Sequence, residues 1–288
     1  MKKILFTILF PLTMLANNWN QLLEQYRNIM GESTYQLIYK QYQDFVLGKA
    51  PAIADQCIKQ IPIVECGQEL VDLRAVNHTR IKVMEDGDLI KAHTYSEDID
   101  PRCTKHAMIR RGVFEALERM IDKLDELASE FGYEKGDLEI KLFEGLRDLT
   151  TQKQLFDSKM KIILQENPDM TEQEAYTETS KWVSPYINNV PVHSTGAAID
   201  IHLWSRKAQS FCDMGRFNVG GNLAPMFSED ATLSDKQKTN RLLFLIAATK
   251  AGLTNYLYEF WHFSYGDRYA FYWRESNPDL KIAIYGPA

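Results

Sequence analysis

The chain has 288 residues, longer than an average domain without clearly making two, and can bury a full core without disulfide or metal staples. Its formal net charge of −6, with no Lys/Arg-rich block or stripe, argues against a nucleic-acid surface. Four cysteines and no C-x-x-C pair argue against a thiolate zinc knuckle and are compatible with an oxidising compartment.

The N-terminus opens with "MKK", followed by the apolar run "ILFTILFPLTMLA" that ends at Ala16. That is the layout of a secretory signal, and it is too short for a spanning helix. The expected mature chain starts near Asn17, is periplasmic or secreted, and keeps no membrane span. Within it, Cys57 and Cys66 lie close enough in sequence to close a small disulfide loop. Residues 17–60 are expected as an N-terminal helical extension broken near Gly31, and residues 61–288 as the main domain.

Short apolar runs at "IPIVE" and "ELVDLRAV", with "EDGD" as turn chemistry, predict strands between residues 61 and 95. Ile109, Val113, Leu117, Ile121, Leu124 and Phe131 then fall at helical spacing and are stopped by Gly132. "DLEIKLFEGLR" predicts a strand with Leu138, Ile140 and Leu142 on one face. Thr171 with Glu174, and Ser234 with Gln237, fit reciprocal capping boxes, the second opening a helix that ends at Gly252. Helices and strands mix without a regular βαβ alternation, which predicts an α+β fold with an antiparallel sheet.

Two stretches carry candidate chemistry. In "HSTGAAID" a turn at Ser194–Gly196 followed by a strand from Ala197 lets His193 fold back toward Asp200. An imidazole and a carboxylate presented this way suit a zinc ion that has further ligands. The alternative is that Asp200 caps a turn and His193 is a loop residue. In "YEFWHF" Glu259 and His262 sit three apart among aromatic residues, where a carboxylate is costly unless paired or bound to a metal. Strand alternation would send the two to opposite faces, so a bend or bulge is expected there. The alternative is an aromatic core strand with a satisfied histidine. His202 is a rival ligand, about 6.6 Å along the strand from Asp200. His78, His93 and His106 lack ligand spacing.

H-x6-D followed by E-x-x-H resembles the zinc D-alanyl-D-alanine dipeptidases of the vancomycin-resistance type. These belong to a larger group of zinc peptidases that includes cell-wall carboxypeptidases and the hedgehog-like zinc domain. "ELVDLRAV", "IRRGVFEALERM", "LFEGLRDLTTQKQLF" and "DMGRF" extend the likeness over about residues 66–273. The resemblance implies a hedgehog/DD-peptidase-like fold with a central antiparallel sheet flanked by helices. It implies one Zn2+ per chain held by His193, Asp200 and His262, with Glu259 as general base and Arg147 stabilising the substrate's oxyanion. The alternative for Arg147 is an ion pair with Asp148 or Glu144. The implied substrate is D-Ala-D-Ala or a related peptidoglycan-derived peptide. Other readings are a DD/LD-carboxypeptidase acting on stem peptides and a non-catalytic zinc- or cell-wall-binding module. Three positions depart from the family pattern: Pro191 replaces a common serine, "DLTTQ" follows Arg147 without the usual proline, and Asn218 stands where an aspartate helps hold the dipeptide's amino group. Asn218 is accordingly the candidate substrate-binding residue.

Overall fold

The computed structural model describes residues 13–84, 105–180, 183–216, 224–228 and 233–288. Residues 1–12 of the expected signal, "EDGD", His93 and Cys103 lie outside these. The expected cleavage point after Ala16 falls inside the first helix, α1 (Thr13–Gln25). Among the described residues no helix is long and apolar enough to cross a membrane.

After α1 come α2 (Glu32–Val46) and the short strands β1 (Leu70–Asp72), β2 (Ile81–Val83) and β3 (Met108–Arg110). Then follow α3 (Arg111–Leu127), β4 (Leu138–Glu144), α4 (Leu149–Glu166) and α5 (Glu172–Thr179). The last third holds β5 (Ala198–Ser205), β6 (Ser210–Phe211), α6 (Asp235–Ala251), β7 (Thr254–Asn255), β8 (His262–Ser264) and α7 (Arg268–Arg274). The fold is α+β. Its main sheet runs β2-β4-β5-β8-β7, with β6 on β5, and β1 pairs separately with β3.

The expected all-antiparallel sheet needs one correction. β2 lies parallel to β4, with Ile81 opposite Ile140. The connection between them carries α3, and a crossover of that length returns the chain in the same direction where a hairpin would reverse it. A second correction concerns Ile109. Its helical spacing with Val113 is real, but Met108–Arg110 is strand, and α3 begins only at Arg111. Pairing with β1 overrides the local periodicity. "ELVDLRAV" likewise splits into β1 and a single helical turn, Leu73–Val76, capped by Asp72.

Both capping boxes form. Thr171 and Glu174, and Ser234 and Gln237, exchange their hydrogen bonds, and Gly252 takes the left-handed conformation that ends α6. Every residue from Asn240 to Thr249 in α6 is buried, so it is a core helix covered on all sides. Inside it Arg241 donates to the carbonyls of Met214 (2.7 Å) and Pro225 (2.6 Å) and lies over the Phe260 ring.

Residues 17–60 share the main core. Leu23, Met30, Tyr35, Ile38 and Tyr42 pack into one cluster with the sheet and α6. Trp19 is 1% exposed, donates Nε1–H to the Ser228 carbonyl at 3.1 Å and meets Phe227 edge-on. Trp19→Ala should therefore cost about 3–5 kcal/mol, read by chemical denaturation. A loss under about 1 kcal/mol would show that the extension melts apart from the rest. α4 and α5 instead close a satellite cluster of Leu155, Phe156 and Val183.

Cys57, Cys66 and Cys212 are free thiols, so the expected Cys57–Cys66 loop is not closed.

Candidate active site

One row across the sheet supplies the polar face. Asp200 on β5 stands directly opposite His262 on β8, and Glu144 on β4 is the cross-strand partner of Asp200. A register shift between Leu142 and Glu144 breaks the alternation of β4, so Glu144 takes the rung beside Asp200. Cross-strand partners have their side chains within contact distance.

His193 reaches this row from outside the sheet. It sits in a one-turn 3-10 helix, Val192–Thr195, which Gly196 terminates at φ 69°, ψ 10°. A β-carbon on Gly196 would lie 2.8 Å from the Leu70 side chain, so the reversal requires glycine twice over. The turn is held from three sides. Arg110 donates its backbone N–H to the Gly196 carbonyl and its Nε–H to that of Thr195, both at 2.8 Å. The Arg147 N–H binds the His193 carbonyl at 3.1 Å, and the Ala288 N–H binds that of Ser194 at 2.9 Å.

The structure thereby brings His193, Asp200 and His262 together. His193 Nε2 lies 3.1 Å from His262 Nδ1 and 3.5 Å from Asp200 Oδ1, and His262 Nδ1 lies 3.0 Å from that same oxygen. Their side chains are 8%, 5% and 3% exposed in the order His193, Asp200, His262. Glu259 Oε2 is 3.8 Å from His262 Nδ1, and at 18% exposure Glu259 is the most open of the four. Between β7 and β8 the chain turns twice, through Glu259 N–H to the Tyr256 carbonyl and His262 N–H to the Glu259 carbonyl. This is the bend expected between the two residues, and it puts both side chains on one side.

These residues fit a divalent cation. A tetrahedral centre with ligands at ~2.0–2.2 Å holds them roughly 3.3–3.6 Å apart, near the three separations seen here. His193 Nδ1 faces the Gly145 carbonyl at 3.0 Å, which makes that nitrogen the N–H and leaves Nε2 as a lone pair aimed at the cluster. Two imidazole lone pairs and a carboxylate converging in a buried spot repel one another unless a cation stands between them. As carboxylates, Glu144, Asp200 and Glu259 outnumber the Arg147 guanidinium by two charges, the complement of a dication.

Arg147 is ion-paired with Glu144, not with Asp148. Its Nε donates to Glu144 Oε1 at 2.7 Å, its Nη2 to Oε2, and its Nη1 to Gln152 Oε1 at 3.0 Å. Burial raises the Glu144 pKa, but the Arg147 guanidinium outweighs it and holds the carboxyl below the usual carboxylate value. Asp148 instead caps α4 through the Thr151 N–H. The pair does not remove Arg147 from the site. It fixes the guanidinium, with its planar fork oriented, against Glu144, the cross-strand partner of Asp200.

His202 is not in the cluster. Its ring is wedged among Phe211, Phe244 and Phe260, and burial pushes its pKa down to about 4. The unfolded chain takes up this proton near the ordinary 6.5, whereas the folded chain refuses it until about 4. Stability from His202 is therefore complete above pH 6.5 and lost as pH falls toward 4, amounting to roughly 3 kcal/mol. His202→Phe should flatten that slope in denaturation measured at pH 7 and 4.5; an unchanged slope would contradict the assignment. His78 and His106 are structural. His78 Nδ1 accepts from the N–H groups of Arg80 and Ile81, and buried His106 contacts the Arg74 guanidinium. Asn218 lies outside the described residues.

Gly145, Gln152 and Asn255 carry no signal in the sequence. A backbone carbonyl has no signature, and Asn255 precedes its motif without any spacing that marks it.

Residues 144–278 match the family model described as D-ala-D-ala dipeptidase, and that span contains Arg147, His193, Asp200, Glu259 and His262. A D-alanyl-D-alanine dipeptidase from Synechocystis sp. is 25% identical over 249 residues, covering 78% of this chain and 94% of that relative. A crystal structure of a vancomycin-resistance D,D-pentapeptidase in complex with Zn(II) is 15% identical and covers 59% of this chain and 79% of its own, with a TM-score of 0.33. Over residues 144–278 the chain resembles the D-ala-D-ala dipeptidases, and it is a peptidase.

Proposed function

We propose that this chain is a zinc-dependent dipeptidase that hydrolyses D-Ala-D-Ala or a closely related small peptide containing D-amino acids, after export to the periplasm or outside the cell. The observation that carries the reading is the convergence of His193 Nε2, Asp200 Oδ1 and His262 Nδ1, with Glu259 at the cluster's more open edge. Export rests on the N-terminal "MKK" and the apolar run to Ala16.

His193, Asp200 and His262 would hold one Zn2+, leaving the side toward Glu259 for water and substrate. When bound, zinc supplies a Lewis acid for the scissile carbonyl and lowers the pKa of water toward ~7. Glu259 takes a proton from the attacking water and hands it to the leaving amine. Its partial exposure suits this role, since a base must reach both water and leaving group. Arg147, held rigid by Glu144 and Gln152, places positive charge where the carbonyl oxygen becomes negative. The Gly145 carbonyl keeps His193 in the tautomer that can ligate.

The test is release of D-alanine from D-Ala-D-Ala by the recombinant chain. Release establishes the dipeptidase reading, and failure on both the dipeptide and peptidoglycan stem peptides removes it. A second reading, a carboxypeptidase trimming stem peptides, is favoured by Asn218, which carries no charge to pair with a dipeptide's ammonium. Cleavage of stem peptides but not dipeptide would select it.

A further inference from the structure

Glu259 lies on the loop Tyr256–Trp261, which joins two very short strands, β7 and β8, and His262 opens β8 directly after it. Nothing in the local pattern compels this loop to place both side chains on one side, because an extended path would separate them. What sits at its centre is the side chain of Asn255, 1% exposed. Its Nδ2 donates to the carbonyls of Glu259 (3.1 Å), Phe260 (3.3 Å) and His262 (2.9 Å). The Tyr256 N–H also meets the His262 carbonyl, at 2.9 Å. Two carbonyls of the loop and that of the first β8 residue are thus drawn to a single amide nitrogen.

We infer that Asn255 is a positioning residue for this peptidase, its buried amide clamping the loop in the shape that turns Glu259 and His262 toward the same point. The inference rests on the functional reading of those two residues given above. Converging carbonyl oxygens repel; those of Glu259 and His262 each accept one backbone N–H as well, and the Asn255 amide is the donor that draws all three together. Only a short side chain with a two-hydrogen nitrogen satisfies several of them at once. Aspartate has the same shape with oxygen in place of that nitrogen, and glutamine is one methylene too long for the space. Asn255 itself is tied into the sheet opposite Phe263, so the clamp refers the loop to the β7–β8 ladder. Asp200, the third ligand, is registered to the same β8.

The test compares Asn255→Asp and Asn255→Ala with the parent full-length chain. The alanine variant leaves room for water at the same carbonyls, so it keeps the test open if the aspartate variant does not fold. Zinc affinity is measured by titrating the apo protein against a chelator of known affinity, alongside kcat, KM and the thermal midpoint. The expected result is zinc affinity weakened about 10–100-fold, as for other residues that orient ligands, and kcat reduced with KM little changed, partly restored by excess zinc. A variant that melts cooperatively and matches the parent's zinc affinity and kcat within about twofold overturns the inference, even if its thermal midpoint is lower, because that is the mark of a purely structural role. A parent chain that neither binds zinc nor cleaves a D-Ala peptide overturns the functional reading and this inference together.

Discussion

Glu259→Gln should lower turnover of the cleaved peptide by about 10²–10⁴-fold, the contribution typical of a positioned general base. The substitution keeps size and polarity but cannot accept a proton. Zinc affinity should change little, because Glu259 Oε2 lies 3.8 Å from the nearest ligand nitrogen and belongs to none of the three closest contacts. Steady-state kinetics with metal content measured on the same sample decides the matter. A variant that keeps its zinc and loses less than about tenfold in kcat would remove Glu259 from the base role. The same variant also reads the site's architecture. Were Glu259 an actual ligand, glutamine would cost metal as well as rate, and the site would have to be redrawn with four protein ligands.

Stripping the metal should have the second large effect, on both activity and stability. Without the ion, two imidazoles and a buried carboxylate crowd within 3.5 Å of one another. Chelation should therefore abolish turnover, and added zinc should restore it. Because zinc binds only the assembled site, it should also raise the melting temperature. The expected gain is about 4 kcal/mol when free zinc exceeds its dissociation constant by ~1,000-fold. Replacing Asp200 by Ala should remove this zinc-dependent shift while leaving the apo fold intact, since it deletes the proposed ligand carboxylate from the middle of the row. A melting temperature that ignores zinc in the parent chain would argue against a metal at this place.

Particular residues show what was legible beforehand. The capping boxes at Thr171 and Ser234 and the Gly252 terminator were readable because they depend on contacts within one turn. The turn at Gly196 was readable for a similar reason: proline, glycine and β-branched residues around His193 oppose a helix, and only a reversal returns His193 to Asp200. Ile109 reads as helix because helical spacing is visible in a sequence whereas its pairing with Val71 on β1 is not. His202, by the strand rule a rival for the metal, fills an aromatic pocket built from residues distant in sequence. Arg147 had two candidate partners on either side of it. The bulge in β4 and the cap of α4 chose Glu144 and gave Asp148 other work.

The sequence by itself determined the candidate reagents of this site: two histidines, two carboxylates and an arginine, in motifs of which the first has its local turn dictated by Gly196. That turn follows from backbone sterics within a few residues. The tertiary structure decided which of them meet. Register places Asp200 opposite His262 and beside Glu144, Arg110 anchors the turn that delivers His193, and Asn255 gathers the loop that carries Glu259. The first two depend on partners far apart along the chain and the third on a side chain four to seven residues from the carbonyls it gathers, and such pairings are set by burial and hydrogen-bond satisfaction across the whole fold.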